Sequence, residues 1–533
     1  MNTFIFGLDG ASPDLIDEWI RQGHLPHLKK IKRDGVYGKL ESTFPPITGP
    51  AWASFQTGVN PGKHGVYNWL DLSDSYRGKA VSRKSIKTRT VWNHISHQGG
   101  KVGLVSLPLT FPPEKVNGFV VPGFLSPDDV ETRTYPEPLE EALFNEVSDF
   151  EFTPPYFNPS LSAQSWVKKL KSSIRSRGDA AKFLYKNFLS EDSSAFMVHF
   201  YSTDTVQHKL WDYDQDNWDP KLEIFKETDR QIGKLMEVAP ANSTFLAISD
   251  HGFGPIDRIF NVNNWLQQQG YLDFQKNTIS TLKRKLSSVG LTQEQLKPLG
   301  DMIYPVARKL NLIDNFTTDP LTDGLLSRLF LSYKDVSWGD TKAYSRSDIG
   351  HIRINKKGRE SQGTVDDGYM KTRREIIDKL ERVKLPDTQK KMVDWVKPKE
   401  EVYKGPFVEN APDILFNPLP NNTAGYGAVM FASPNVFEVN SAFDPGHHRQ
   451  NGILYASGPS ITSGERDAKI TDIAPTLLNL FSLPVPEQMD GEVIREIAPE
   501  EPEYHRAEGF YRRKQKRNQE EGSRDKLKNL GYL

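Results

Sequence analysis

The chain has 533 residues, enough for about three average domains or for fewer, larger ones. With 68 Lys and Arg against 69 Asp and Glu the net charge is −1, so no overall field favours a nucleic acid or an anionic membrane as partner. The absence of cysteine excludes disulfides, thiolate zinc sites, iron–sulfur clusters and cysteine nucleophiles. Any bound metal must therefore be held by His, Asp, Glu or hydroxyl groups.

The N-terminal residues carry no visible targeting signal. No basic stretch precedes the apolar run Phe4–Leu8, which is too short for the core of a signal peptide. No run approaches the ~18 consecutive apolar residues of a transmembrane helix. We therefore expect a cytoplasmic protein with no membrane span.

Three short apolar runs predict buried strands, and an acidic residue follows each of them. The runs are Thr3–Leu8, Ser194–Tyr201 and Thr244–Ser249, and the acids are Asp9, Asp204 and Asp250. Because strands alternate with helical stretches, we predict an α/β fold with a mainly parallel sheet flanked by helices. Ligands of such a sheet gather beyond the carboxyl ends of its strands, where these acids lie.

The composition changes between Gly254 and about Asn440, where Gln-, Lys- and Ser-rich stretches predominate. Helices are predicted over Gln267–Leu299 and Asp366–Val383. We predict a core formed by residues 1–254 and 441–498, an inserted cap or substrate region at 255–440, and a charged, helical C-terminal tail at 499–533.

Two motifs pair an acid with an imidazole. Asp204 and His208 are four residues apart, so on a helix they face the same side. Asp250 and His251 are adjacent in a glycine-containing loop, where neighbouring side chains can converge on one ion. The spacing of Asp204 and His208 alone is more typical of a coincidence between surface residues. The Asp250–His251 motif alone is equally typical of a turn capped by the Asp with the His exposed.

A second group of residues suits phosphoryl chemistry. Thr48 lies between Pro46 and Pro50, and a helix starting near Ala51 would point its amides at an anion beside the Thr48 hydroxyl. Coordination to a dication would remove the proton of that hydroxyl and make it a nucleophile. The structural alternatives are Thr48 as a helix N-cap, Thr57–Gly58 as a helix terminus and His64–Gly65 as a turn.

Taken together and in this order, these elements resemble the alkaline phosphatase superfamily. The likeness is strongest to its type I phosphodiesterase/nucleotide pyrophosphatase branch, including the bacterial and archaeal phosphohydrolases and phosphomutases of that group. It extends over nearly the whole chain, and further segments that carry it are Phe44–Asn68, Pro108–Pro113, Glu401–Pro406, His448–Gly452 and Asp472–Thr476.

The resemblance implies two divalent metal ions, with zinc preferred and manganese the alternative. It assigns the site residues as follows: Asp9, Thr48, Asp250 and His251 for one ion, and Asp204, His208 and His448 for the other, with Thr48 as nucleophile. His447 is the alternative to His448. Asn68 lies near the position of an Asn that binds a phosphoryl oxygen in relatives, although it is one residue closer to Thr48. Ala51-Trp52 replaces the usual Asn of the nucleophile loop, which implies a different pocket from that of the nucleotide enzymes.

The activity implied is hydrolysis of a small-molecule phosphate monoester or diester through a covalent phospho-threonine. A phosphomutase or phosphoryl transferase of the same superfamily and a non-catalytic, metal-stabilised binding scaffold are the alternatives. A sulfatase is disfavoured, because those enzymes need an oxidised Cys or Ser where this chain has Thr48. Arg359 could neutralise phosphate charge, but a structural ion pair is preferred for it. The sequence specifies neither the substrate nor the oligomeric state.

Overall fold

The computed structural model describes residues 2–511, except for 74–75, 77, 128–129, 131, 159, 190–192, 214–217, 279, 282, 284–330, 348, 419–422, 427–434 and 441–443. Its strands, in chain order, are β1 Asn2–Leu8, β2 Gly35–Glu41, β3 Leu70–Asp71, β4 Lys79–Ala80, β5 Lys101–Val105, β6 Gly118–Val121, β7 Ser194–Phe200, β8 Thr244–Ile248, β9 Gly252–Pro255, β10 Arg258–Asn261, β11 Ala343–Tyr344, β12 His351–Ile354, β13 Trp395–Pro398, β14 Ile414–Asn417, β15 Thr423–Tyr426, β16 Phe437–Val439, β17 Gly446–Arg449, β18 Asn451–Ser457, β19 Gly464–Glu465, β20 Ala468–Lys469, β21 Val485–Pro486 and β22 Tyr504–His505.

The helices of the described residues are α1 Pro13–Arg21, α2 Pro26–Arg33, α3 Thr48–Thr57, α4 Pro61–His64, α5 Val91–His97, α6 Leu139–Glu146, α7 Ala163–Phe188, α8 Ser202–Leu210, α9 Pro220–Val238, α10 Val262–Gln268, α11 Tyr369–Leu380, α12 Lys399–Val402 and α13 Ile473–Leu480. Short 3₁₀ turns lie at Arg83–Ser85, Tyr333–Asp335, Val408–Asn410 and Ile470–Asp472.

A nine-stranded sheet forms the centre of the molecule. Its order is β19–β2–β18–β8–β1–β7–β5–β6, and β20 also pairs with β2. The strands from β8 to β6 run parallel, whereas β18 is antiparallel to both of its neighbours. The predicted α/β class with a mainly parallel sheet is confirmed.

Hydrophobic cores cover both faces of this sheet because alternate side chains of a strand point to opposite sides. In β1, Phe4 and Phe6 belong to a core that includes residues of α1, α2, α7 and α9. Ile5, between them, belongs to a second core with residues of α3, α5 and α13. Strands buried on both faces explain the continuous apolar runs in the sequence.

The predicted insertion contains further small sheets. Strands β15, β10 and β16 form one, and β11, β12, β14 and β13 form another, with a separate hydrophobic core around Phe260, Tyr344 and Phe416. Strands β9 and β17 pair with each other on either side of the insertion in the sequence, so the chain leaves and returns at adjacent positions.

The helix predicted over Gln267–Leu299 is wrong for residues 269–277. The helix ends at Gln268, and residues 269–277 are not helical. Gly270 has a φ of +75°, a left-handed conformation that ends helices. Residues 284–299 lie outside the described part. Of the predicted C-terminal tail, residues 512–533 also lie outside it, and Tyr504–His505 forms a strand that pairs with Val485–Pro486.

Candidate functional site

Three carboxylates meet at the carboxyl edge of the central strands. Strands β8, β1 and β7 are neighbours in this order. Asp9 follows β1 directly, Asp250 lies two residues after β8, and Asp204 lies in the first turn of α8, just after β7. All three side chains are fully buried. The parallel topology therefore brings together acids that are far apart in the sequence.

Four donor atoms form a first group around this edge. The Thr48 hydroxyl Oγ1 lies 3.4 Å from Asp9 Oδ1 and 3.1 Å from His251 Nε2. The same His251 nitrogen is 3.4 Å from Asp9 Oδ1 and 3.3 Å from Asp250 Oδ2. Asp9, Asp250 and His251 thus form a cluster of the kind that can hold a metal ion.

A second group of donors adjoins the first. His208 Nε2 lies 2.9 Å from His448 Nε2. These two nitrogens are 3.5 Å and 3.3 Å from Asp204 Oδ1. The rings of His448 and His251 stack with centroids 3.7 Å apart, and Asp204, His251 and His448 also form a possible metal-binding cluster. The seven residues predicted as metal ligands therefore lie in two adjacent groups.

The choice between His447 and His448 follows from strand geometry. Both lie on β17, where consecutive side chains point to opposite sides. His448 is the imidazole that contacts Asp204, and its Nδ1 lies 2.8 Å from the carbonyl oxygen of Pro46. His447 instead accepts a hydrogen bond at Nδ1 from the backbone N–H of His448. The geometry favours His448 as the donor to a metal ion.

The electrostatics of the first group fit a divalent cation. Burial, followed by the charges of Asp250 and Asp204, raises the pKa of Asp9 well above its usual value. Burial and then the charge of Asp204 raise the pKa of Asp250 in the same way. Asp250 Oδ2 is a buried oxygen that accepts no hydrogen bond from any described residue. Uncompensated carboxylates of this kind are stabilised by a bound cation.

The donor spacing also fits a metal ion. In a tetrahedral zinc site with bonds of about 2.0–2.1 Å, neighbouring donors are about 3.3–3.4 Å apart. The contacts of the first group range from 3.1 to 3.4 Å and those of the second from 2.9 to 3.5 Å. In the second group burial raises the pKa of Asp204, but His208 and His448 outweigh this effect and the net pKa is lowered. The residues present thus suit two dications.

Two residues that the sequence analysis did not assign hold Asp9 in place. Trp52 Nε1 donates to Asp9 Oδ2 at 3.2 Å, and His199 Nε2 lies 2.8 Å from the same oxygen. Both side chains are fully buried. Because Oδ2 is occupied in this way, Oδ1 is the oxygen that faces Thr48 and His251. His199 could have been noticed in the sequence, because it is a histidine inside the apolar run of β7. The contact from Trp52 could not, because it depends on the fold.

The helix that begins at Thr48 does not use this residue as its cap. The N-cap is Ile47, and no side-chain hydrogen bond is formed there, so the capping alternative for Thr48 is wrong. The structural alternatives at the other two positions are confirmed. Gly58 ends the helix with a φ of 68°, and His64 ends a short helix before Gly65. The His64 ring contacts Ser54 Oγ at 2.9 Å, away from the donor groups.

Asn68 is engaged outside the two donor groups. Its Nδ2 donates to the Arg346 carbonyl oxygen at 3.3 Å, and its Oδ1 accepts from the Trp69 N–H at 2.7 Å. It also lines a cavity of about 60 Å³ between the core and the predicted insertion, together with Lys87, Arg346 and other residues. The role predicted for Asn68 in binding a phosphoryl oxygen stays a prediction.

Arg359 forms the structural ion pair that the sequence analysis preferred. Its Nη1 and Nη2 donate to the two carboxylate oxygens of Asp413 at 2.8 and 2.6 Å. Its Nε donates to Glu360 Oε1 at 2.8 Å. A guanidinium that is bound on both edges by protein carboxylates has little capacity left for a substrate.

Comparison with known proteins identifies the family. Residues 3–427 match the type I phosphodiesterase / nucleotide pyrophosphatase family. The chain belongs to this family. It is thus a hydrolase of phosphate ester bonds, as the resemblance in sequence implied.

Two of the matching solved structures, each with a TM-score of 0.51, share the fold at low sequence identity. Phosphonoacetate hydrolase from Sinorhizobium meliloti 1021, in complex with phosphonoformate, is 15% identical with a TM-score of 0.51, covering 89% of this chain and 94% of the other. A multiply substituted alkaline phosphatase PafA is 13% identical with a TM-score of 0.51, covering 93% of this chain and 98% of the other. Human ectonucleotide pyrophosphatase / phosphodiesterase 5 is 14% identical with a TM-score of 0.46, covering 92% and 97%.

Among curated proteins, none matches the chain in sequence. Within the described ranges, no helix combines the length and the apolar character that crossing a membrane requires.

Proposed function

We propose that this member of the family is a metal-dependent phosphohydrolase in which Thr48 is the nucleophile. The observation that carries the proposal is the position of the Thr48 hydroxyl, which lies within 3.4 Å of Asp9 Oδ1 and 3.1 Å of His251 Nε2. A threonine hydroxyl is unreactive at its ordinary pKa. Its burial among carboxylate and imidazole donors supports a role in which a cation activates it.

In this proposal the two donor groups hold one dication each, most suitably zinc, because carboxylate and imidazole donors at tetrahedral spacing suit that ion and manganese is the alternative. Bound there, the ions would lower the pKa of the Thr48 hydroxyl and neutralise charge on the phosphoryl group. The ligands are Asp9, Thr48, Asp250 and His251 for one ion, and Asp204, His208 and His448 for the other.

The chemistry proceeds in two displacements. Thr48 loses its hydroxyl proton to solvent and Oγ1 attacks phosphorus, the bond between phosphorus and the ester oxygen breaks, and the alcohol leaves with a proton from solvent. Water then attacks the phospho-threonine, releases phosphate or a phosphate monoester, and restores the hydroxyl. Thr48 is the first residue of α3, so the positive end of that helix dipole faces the incoming phosphoryl group.

The predicted insertion supplies the region that would select the substrate. The cavity that Asn68 lines is bounded by core residues such as Tyr67 and by Arg346 and Phe407 of the insertion. The substrate class that we propose is a small-molecule phosphate ester, and its support is the family match and the donor groups around Thr48. Within that class, the identity of the alcohol depends on the insertion and not on the seven donors.

The test is a screen of chromogenic phosphate monoesters and diesters with the zinc-loaded protein, and the Thr48→Ala variant as the decisive comparison. We expect Thr48→Ala to lose turnover and to keep its bound zinc, because three donors remain in its group. Thr57→Ala is the matched control, since the Thr57 hydroxyl only donates to the Ala53 carbonyl oxygen within the same helix. Full activity in Thr48→Ala would exclude this residue as nucleophile, and zinc binding by the wild type without any turnover would favour a scaffold.

A further inference from the structure

The His208 imidazole is held from its far side by an acidic residue that neither the family resemblance nor the donor groups include. Asp444 Oδ2 lies 3.2 Å from His208 Nδ1, while His208 Nε2 faces His448 and Asp204. The other carboxylate oxygen of Asp444 forms an ion pair with Lys209 Nζ. The His208 ring is therefore placed between a carboxylate on one nitrogen and the second donor group on the other.

This contact decides which nitrogen can bind a metal ion. A neutral imidazole carries one N–H and one lone pair. A carboxylate oxygen 3.2 Å from Nδ1 favours the tautomer in which Nδ1 carries the proton, and this leaves the lone pair on Nε2, the nitrogen that lies near Asp204 and His448. An acceptor on the distal nitrogen of a ligating histidine fixes its tautomer and orientation and makes the ligand more basic.

The other two imidazoles of the donor groups are held differently. His251 Nδ1 lies 3.0 Å from the Gly252 carbonyl oxygen, and His448 Nδ1 lies 2.8 Å from the Pro46 carbonyl oxygen. Backbone carbonyls hold these two rings, and no side-chain substitution removes such an acceptor directly. His208 is oriented by a side chain, so its orientation can be changed without touching a ligand.

We propose that Asp444 is a positioning residue that sets the donor nitrogen of His208, with Lys209 holding Asp444 in turn. The inference rests on the proposed function, because it concerns the dication assigned to Asp204, His208 and His448. Asp444 is 20% exposed and Lys209 is 21% exposed, so neither is part of a hydrophobic core whose loss would prevent folding.

The test measures zinc affinity by competition with a chromophoric chelator in wild type, Asp444→Ala and Asp444→Asn. We expect Asp444→Ala to weaken one of two bound zinc ions by about 10- to 100-fold and to leave the other unchanged. Asp444→Asn keeps an oxygen that can accept from Nδ1–H, so it should recover part of this loss. Lys209→Met should give a smaller weakening of the same ion, because it acts through Asp444.

The matched control is Glu223→Gln. Glu223 pairs with Lys171 at 2.7 Å and is 30% exposed, and it contacts neither donor group among the described residues. This variant should bind both ions as the wild type does, and thermal unfolding of the metal-free proteins verifies that all variants are folded. Equal zinc affinities in wild type, Asp444→Ala and Asp444→Asn would overturn the role of Asp444 alone. A wild type that binds no zinc would instead overturn the proposed function and this inference with it.

Discussion

Two regions of the molecule contain completely buried carboxylates. Their surroundings shift the pKa of Asp413 in one region and those of Asp9 and Asp250 in the other in opposite directions. In the predicted insertion, Asp413 receives two hydrogen bonds from Arg359 and lies 3.5 Å from Lys399. Burial raises the pKa of Asp413, but Arg359 outweighs it and the net pKa is lowered. At the central sheet, burial and then the charges of neighbouring acids raise the pKa values of Asp9 and Asp250 well above the usual range, whereas His208 and His448 lower the pKa of Asp204.

This difference in pKa separates a structural ion-pair cluster from a candidate metal site. In the Asp413 cluster, the carboxylate is neutralised by Arg359 and Lys399 of the same protein. The seven residues at the sheet edge include three acids and three imidazoles and neither arginine nor lysine, so in the proposed function bound dications would supply the balancing charge. Asp9 and Asp250, whose pKa values are raised by burial and by neighbouring acids, therefore mark the part of the molecule where a bound cation would relieve the most repulsion.

The largest expected effect is that of Asp250→Asn. In the zinc-loaded protein we expect loss of one bound ion and of turnover on a chromogenic phosphate ester. In the chelator-treated protein we expect a higher free energy of unfolding than in wild type, because one of three neighbouring acids is removed. Metal analysis, turnover and urea denaturation measure the three quantities. If the metal-free variant were less stable than wild type, the acids at the sheet edge would not be repelling each other.

Asp413→Asn should show the opposite pattern. We expect it to lower the free energy of unfolding by about 3–5 kcal/mol, because Arg359 and Lys399 lose the buried anion between them, and to keep both zinc ions. Asp387→Asn is the control from the same region, since Asp387 pairs with Arg258 at the surface and is 52% exposed. It should be as stable as wild type in the same urea titration. Zinc loss in Asp413→Asn would show that the two clusters are coupled.

A smaller effect is expected from the buried histidine of the insertion, His351. Burial, followed by Arg353, lowers its pKa from 6.5 to about 3. Below pH 6.5 the unfolded chain therefore binds a proton that the folded chain does not, and stability falls as the pH decreases toward 3. His351→Leu should remove a slope of roughly 1 kcal/mol per pH unit between pH 6 and 5.

Urea denaturation of the chelator-treated protein at both pH values measures the slope, and His64→Leu in the core provides the comparison. Burial lowers the pKa of His64 to about 3 as well, so its replacement should flatten the profile similarly. An unchanged slope in His351→Leu would mean that this histidine does not contribute to acid sensitivity.

The sequence was sufficient to predict the strands that carry the acids. Apolar runs such as Thr244–Ser249 are buried on both faces of the sheet, and this makes them continuous and easy to recognise. The order of the strands and the meeting of Asp9 with Thr48 depend on contacts between distant segments. For these, the resemblance to a known family was needed, since spacing alone left surface alternatives open.

Other features could not be predicted because nothing local encodes them. Asp444 lies 236 positions after His208, counted from the sequence, and only the fold brings it to the ring. Trp52 was noted as a departure from the family pattern, but its hydrogen bond to Asp9 was not foreseen. The helix predicted from Gln267 was too long. The prediction relied on the helix-forming composition of this stretch and gave too little weight to Gly270, which has a positive φ.

The pairing of β9 with β17 has a consequence for how this chain can diversify. Pro255 lies opposite Gly446, and the ladder between them also aligns Phe253 with His448. The chain from Ile256 to Asn440, which does not include Asp444, therefore leaves the core and returns to it next to this strand pair. The insertion can change in length or sequence while the pairing of β9 with β17 keeps His251 and His448 in place. This strand pair is therefore the natural junction for chimeras with altered substrate preference.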